Sequence, residues 1–226
     1  MSKFVTKDYT NKKEILKFPD HYVAVAVTVD DTGIVADADG KKIVSAGTIV
    51  GGGTLLNEAT KVKQHVAASL TTALGGANDD LVFTAKVDKA ISIEYVDPGQ
   101  ASQSLIVSIS AGVISVSLAT DGASAITSTA TEIKAAIEAH LITRDLVEVS
   151  LATGNDGTGV VTAMVAAPLA NGVSAEGVLL NDVNVTYGAA SGAMCIHGYL
   201  DRTKVEAVQA ISAQAEAVLK NIAFIK

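Results

Sequence analysis

The sequence is poor in aromatic residues and in charge. Aromatic side chains make up 4% of the 226 residues, and tryptophan is absent. Ligand pockets are lined mainly by hydrophobic and aromatic side chains, so this scarcity favours a structural role over a catalytic one. Charged residues make up 18% of the chain and hydrophobic residues 49%. That balance excludes an intrinsically disordered protein.

Cysteine is also scarce, because Cys195 is the only one. A single cysteine excludes an intramolecular disulfide framework and a cysteine-based metal site. The first residues lack the apolar core of a signal peptide, and no apolar run approaches the roughly 20 residues of a membrane helix. We therefore expect a protein made in a cytoplasm, with no membrane partner. The net charge of −7 disfavours nucleic acid as a partner.

The negative charge is concentrated in the middle of the chain. Residues 77–173 hold eleven acids and four bases, whereas the remaining residues hold thirteen of each. Turn-rich stretches at 74–80 and 168–172 bound the same segment. The sequence therefore predicts three parts: an N-terminal arm (1–20), a discontinuous β-rich platform (21–76 plus 174–226) and an inserted acidic outer domain (77–173).

Hydrophobic periodicity predicts a mostly β fold with an α+β insert. Apolar alternation indicates platform strands at 21–29, 43–50, 177–185, 193–199 and 222–226. In the insert it indicates strands at 81–85, 90–96, 146–151 and 160–165, and a hairpin at 105–118. A helix over 129–142 would begin with a capping box of Thr129 and Glu132 and bury Ile133, Ile137 and Leu141. A C-terminal helix over 201–221 would place four residues on one stripe: Val205, Val208, Ile211 and Val218.

The N-terminal arm allows two interpretations. Five lysines interleave with five apolar residues there: Phe4, Tyr9, Ile15, Leu16 and Phe18. The segment is either a frayed terminus or an arm that becomes ordered on a partner surface. On the second interpretation, these five residues are the candidate contacts.

No motif in the chain predicts catalysis. The glycine-rich stretch 47–54 superficially suggests a phosphate-binding loop, but no lysine follows its glycines, so a tight bend is predicted. Cys195 and His197 would share one face of a strand, yet nothing nearby supplies the third group of a hydrolase, and a half-buried strand explains them better. We expect no catalytic residue and no cofactor.

Metal binding is not predicted either. The loop 153–159 and the pair Asn181 and Asp182 lack the ligand series of a calcium loop, which favours turns. The histidines show no metal-binding spacing, so each is predicted to lie at the surface or in a hydrogen-bonded core position. These residues are His21, His65, His140 and His197.

Several stretches of the platform resemble proteins that decorate the heads of tailed phages. The stretch 175–188, AEGVLLNDVNVTYG, and the stretch 196–201, IHGYLD, resemble two strands that bracket a small-residue turn in that family. Residues 46–51, AGTIVG, are similar to an upstream strand, and the terminal IAFIK extends the likeness over most of the platform.

The insert resembles a domain of phage virion proteins, and head-fibre proteins are a neighbouring possibility. The similar stretches are 83–98, 117–130 and 157–163, although the link at 87–89 is shorter than the glycine-rich link of the family. The resemblance implies a non-enzymatic homotrimer that binds the major capsid protein on the capsid exterior, with its arm against the shell.

Two alternatives to capsid decoration stay open. The insert 77–173 could be an adhesin module that recognises a glycan of the host surface. The chain could instead be a hydrolase that uses Cys195 and His197.

Overall fold

The computed structural model describes residues 14–226 as a mostly β protein with a few short helices, which confirms the predicted fold class. The described strands are β1 (Tyr22–Val29), β2 (Ile43–Val44), β3 (Ile49–Gly51), β4 (Lys63–Gln64), β5 (Ser69–Thr71), β6 (Leu81–Ala85), β7 (Ser92–Val96), β8 (Ile106–Ser110), β9 (Val113–Ser117), β10 (Val147–Leu151), β11 (Met164–Pro168), β12 (Ala175–Leu179), β13 (Val183–Asn184), β14 (Ala190–Asp201) and β15 (Ile222–Ile225). The described helices are α1 (Ala130–Ala139), α2 (Thr143–Leu146), α3 (Arg202–Glu206) and α4 (Ala213–Val218).

The described chain divides into two compact units. The first unit comprises residues 14–64, Glu176–Ile211 and Leu219–Lys226, and the second comprises His65–Ala175 and Ser212–Val218. These bounds differ from the predicted 77–173 because β5 pairs with β6 and Val66 pairs with Val173. The segment Ser212–Val218 also belongs to the second unit, which no local sequence signal indicated.

The first unit is built on a six-stranded sheet in the order β1-β14-β12-β3-β4, with β15 parallel to β14. The backbone of Val62 bonds to Thr28 and Asp30, so the chain entering β4 returns to the end of β1. Valines dominate the core beneath this sheet, as the alternation in β1 requires. The ribbon of β2 and β13 completes the unit.

Two predicted strands of the first unit are shorter than expected. The strand predicted over 43–50 breaks after β2, where Thr48 N–H donates to the carbonyl of Ser45 and Gly47 has a φ of +92°. The strand predicted over 177–185 breaks after β12, where Asp182 Oδ1 accepts a 2.8 Å hydrogen bond from Ala46 N–H. Turn formation therefore outweighs β propensity at both positions.

The second unit is an α+β domain with its own core. It contains a three-stranded sheet, β10-β6-β5, and a four-stranded sheet, β11-β7-β9-β8, in which β7 and β9 run parallel. The hairpin of β8 and β9 is confirmed. The strand expected over 160–165 lies later in the chain, at β11. The largest fully buried side chains of this core are Tyr95 and Phe83.

Helix α1 confirms the predicted capping box and corrects one core residue. Thr129 Oγ1 accepts from Glu132 N–H, and Glu132 Oε2 accepts from Thr129 N–H at 2.9 Å. Ile133 and Ile137 are fully buried, as predicted. Leu141 is 69% exposed, because the helix ends at Ala139 and the chain leaves the core.

The prediction of one long C-terminal helix over 201–221 is wrong. Two short helices, α3 and α4, replace it, because Ser212 starts a new helix by accepting a hydrogen bond from Ala215 N–H at 3.0 Å. Between them Gln209 Oε1 accepts from Ile49 N–H. Val205 is buried as expected, but Val208 is exposed.

Candidate functional site

A cluster of mainly apolar, exposed side chains lies at the surface of the first unit. We call this cluster the aromatic patch (Phe18, Val23, His197 and Tyr199). Val23 lies opposite His197 in the pairing of β1 with β14, and Tyr199 follows two residues along the same face of β14. The ring of Phe18 packs edge-on against Tyr199, with centroids 5.4 Å apart and planes at 83°. Exposure is 52% for Phe18, 50% for Val23 and 38% for Tyr199. The patch therefore offers exposed apolar surface on paired strands and on the chain before them.

The chain before β1 fixes the position of this patch. Lys17 N–H donates to the carbonyl of Tyr199, and Asp201 N–H donates to the carbonyl of Ile15, both at 2.8 Å. Lys17 Nζ lies 3.1 Å from the carboxylate of Asp201. The hydrogen bond and charge of Lys17, together with the N–H of Lys204, lower the pKa of Asp201 although burial opposes them.

The predicted contact residues of the arm differ in their burial. Ile15 is 2% exposed and packs inward, so in this structure it does not line an outer surface. Leu16 is half-buried and forms a β-bridge to Leu200, whereas Phe18 is exposed and belongs to the aromatic patch. Phe4 and Tyr9 lie outside the described residues.

The glycine-rich stretch 47–54 is closed by a carboxylate of the same unit. Glu176 Oε1 accepts from Gly53 N–H at 3.0 Å, Glu176 Oε2 accepts from Thr54 N–H at 2.9 Å, and a longer 3.4 Å contact reaches Leu55 N–H. Successive backbone amides of this kind bind anions. Here they already hold Glu176, so the loop serves as an internal cap.

Replacing Glu176 with alanine should loosen this loop. Three backbone donors would lose a charged acceptor, which we expect to lower the free energy of unfolding by about 1–3 kcal/mol. Chemical denaturation measures the loss, and amide exchange of Gly53 and Thr54 locates it. Glu58→Ala removes an exposed carboxylate from the same loop and serves as the matched control. Equal stability of both variants would contradict the assigned role.

A cleft of about 300 Å³ borders the same loop along β1. Its wall combines strand residues with loop residues: Val25, Ala26, Val27, Thr28, Thr54, Leu55, Glu58 and Ser191. Glu58 is the single charged side chain in this wall, which otherwise combines aliphatic and hydroxyl side chains.

Cys195 and His197 do not form a reactive pair. A β-bulge in β14 shifts the register between Val23 and Ala24, so the two residues no longer share a face. Cys195 is fully buried and His197 is exposed. Burial raises the pKa of the Cys195 thiol, although Sγ contacts the carbonyl of His197 at 3.3 Å. The same-face prediction is therefore wrong.

The acidic loops considered for calcium serve as turns. Asp156 Oδ1 accepts from both the N–H and the hydroxyl of Thr158, and these hydrogen bonds lower the pKa of Asp156. Among residues 14–226, no group of three or more His, Cys, Asp or Glu side chains is placed to hold a metal ion.

His65 is a buried polar residue whose setting the sequence did not reveal. It is 3% exposed in the second unit, where Nδ1 lies 2.6 Å from the carbonyl of Val173 and Nε2 lies 2.7 Å from Ser212 Oγ. Its partners are more than a hundred residues away along the chain, so no local pattern could indicate them. His65 therefore occupies a hydrogen-bonded core position, which is one of the two settings that the sequence predicted for each histidine.

The two units differ strongly in charge. The sequence of the second unit holds twelve acids and four bases, a net charge of −8, while the rest of the chain holds twelve acids and thirteen bases, a net charge of +1. Only two residues of the second unit are aromatic, Phe83 and Tyr95, and both are buried. Exposed aromatic surface is therefore a property of the first unit.

No protein-family model, curated protein or solved structure matches the chain. Within the described residues, none of the helices has the length and apolar character needed to cross a membrane.

Proposed function

We propose that the chain is a non-enzymatic structural protein that binds the exterior of a tailed-phage capsid through its first unit. The observation that carries this proposal is the aromatic patch, which is exposed and located in the nearly neutral unit. Interfaces are enriched in aromatic residues and depleted of charge at their centres. The sequence resemblance to head-decoration proteins supports the capsid shell as the partner.

The charge of the second unit supports a complementary role. A net charge of −8 on one unit repels other particles that carry the same protein and so keeps them dispersed. The near-neutral first unit meets no such repulsion at a shell. In this proposal three copies associate on the capsid, and the major capsid protein is their binding partner.

The alternative of a glycan-binding adhesin has less support. Sugar rings stack on exposed aromatic faces, and both aromatic residues of the second unit are buried in its core. The outer face of its four-stranded sheet combines serines with aliphatic side chains and one acid, and none of them is aromatic: Ser92, Glu94, Val96, Ile106, Ser108, Ser110, Val113, Ser115 and Ser117. Such a face lacks a stacking platform.

Co-sedimentation with purified expanded capsids tests the proposed function. The full-length protein should bind saturably, and the free protein should sediment with three times the 23.0 kDa mass of one chain. Host-surface glycans immobilised on beads provide the competing arm. Retention on glycans without capsid binding would favour the adhesin and overturn the proposal.

A further inference from the structure

His65 joins three separate segments of the second unit. Its side chain lies between the carbonyl of Val173 and the hydroxyl of Ser212, so it connects the chain before β5, the chain before β12 and the start of α4. Ser212 in turn caps α4, because Ser212 Oγ accepts from Ala215 N–H and the Ser212 carbonyl accepts from Glu216 N–H. His65 therefore contacts the residue that caps the first turn of α4.

The hydrogen bonds are all satisfied by the neutral ring with its hydrogen on Nδ1. A carbonyl can only accept, so Nδ1 carries the hydrogen toward Val173. Nε2 is then the acceptor for the Ser212 hydroxyl, and the serine oxygen remains free to accept from Ala215 N–H. A second proton on the ring would turn Nε2 into a donor and remove the acceptor of the hydroxyl hydrogen. Neutral imidazole is thus the form that this arrangement fits.

Further contacts hold α4 in the second unit. Gln214 is 4% exposed, and its Nε2 approaches the carbonyl of Val87 at 3.3 Å and Asp88 Oδ1 at 3.4 Å. Asp88 Oδ2 also accepts from the Ser174 hydroxyl at 2.9 Å. Ala215 is fully buried. With only six residues, α4 depends on these contacts, since short helices are marginal alone.

Charged groups lie on two of the elements around His65. Asp88 acts on the imidazole electrostatically and lies on the turn after β6, flanked by Lys86 and Lys89. Helix α4 carries Glu216 at its exposed surface. The stretch 170–174 contributes no charge. Asp88 favours the protonated ring, whereas burial opposes it.

We propose that His65 is a pH-sensitive latch that holds the segment 212–218 in the second unit when neutral and releases it when protonated. In the sequence the segment is flanked on both sides by residues assigned to the first unit. This property goes beyond capsid attachment and does not depend on it.

The direction of the pH effect follows from linkage. Burial lowers the pKa of His65 below its usual 6.5, and this outweighs the opposing hydrogen bond to Val173 and the charge of Asp88. A released histidine regains its usual affinity for protons, so the open form binds protons more tightly. The latch therefore keeps its stability above pH 6.5, weakens as the pH falls from 6.5 toward the lowered pKa, and changes little below it. Opening should increase by up to about tenfold per pH unit in this range.

Amide hydrogen exchange in the full-length protein tests the latch. The protection of Ala215 and Glu216, corrected for intrinsic exchange rates, should fall between pH 7 and pH 5.5, by at most about eightfold. His65→Gln cannot titrate and should make this protection independent of pH. His140→Gln, in the same unit, is the matched control and should keep the wild-type dependence.

Two direct measurements keep the proposal testable if His65→Gln fails to fold. An NMR titration should place the pKa of His65 below 6.5 in the wild-type protein, and a pKa at or above that value would overturn the proposal. Ser212→Ala should raise exchange of Ala215 already at pH 7. Protection that stays constant with pH in the wild type, or that falls equally in His65→Gln, would also overturn it.

Discussion

Replacing Phe18 and Tyr199 together by serine should weaken attachment to expanded capsids by about 30-fold or more. Truncating central interface side chains of this size commonly costs binding on that scale. Both side chains are substantially exposed, so the folded first unit loses little on their removal. Binding isotherms from co-sedimentation give the affinity, and thermal unfolding should show a change of no more than a few degrees.

Tyr187 provides the matched control for this prediction. It is a fully exposed aromatic residue of the same unit, located in the turn after β13 and outside the aromatic patch. Tyr187→Ser should leave capsid affinity within about twofold of the wild type, as expected for a residue outside the interface. If Tyr187→Ser weakened binding as much as the double variant did, loss of surface hydrophobicity would explain both results. The patch would then have no specific role.

Replacing Ile137 with alanine should destabilise the second unit by about 2–5 kcal/mol, whereas Leu141→Ala should cost less than about 0.5 kcal/mol. Both residues were predicted to lie on one buried face of a helix. Ile137 is fully buried, but Leu141 is 69% exposed because it follows the last residue of α1. Both changes remove a comparable aliphatic side chain, so burial alone separates them.

Urea denaturation followed by circular dichroism measures this difference. The Ile137→Ala midpoint should fall clearly below that of the wild type, and the Leu141→Ala midpoint should coincide with it. Similar losses in both variants would mean that the helix continues to residue 142 and buries Leu141.

Local patterns in the sequence predicted those elements whose partners are nearby. The capping box of Thr129 and Glu132 and the hairpin of β8 and β9 depend on residues within about ten positions, and both are confirmed. Periodicity also located the buried positions Ile133 and Ile137 correctly. These elements follow from short-range hydrogen bonding and amphipathicity.

The predictions that were wrong depended on distant residues or on breaks in regular structure. The C-terminal helix has favourable residues throughout, yet Ser212 interrupts it by capping α4 and contacting His65, 147 residues earlier in the chain. The bulge in β14 separates Cys195 from His197 because an extra residue reverses the alternation. Strand alternation assumes an unbroken period, so it could not indicate either feature.

The candidate site was only partly predictable. Phe18 was identified from the composition of the arm, but Val23, His197 and Tyr199 join it through the pairing of β1 with β14. Ile15, which lies before β1 and accepts a backbone hydrogen bond from Asp201, is buried instead. Deleting residues 77–173, the predicted insert, would not remove the second unit as a whole. The strand β5 and the helix α4 would remain without their partners.

Hydrogen exchange of the protein bound to expanded capsids, compared with the free protein, tests the central claim most directly. We expect new protection in residues 17–23 and 197–201, which carry the aromatic patch, and little change in residues 65–175. Protection confined to residues 65–175, with the aromatic patch exchanging as in the free protein, would contradict attachment through the first unit.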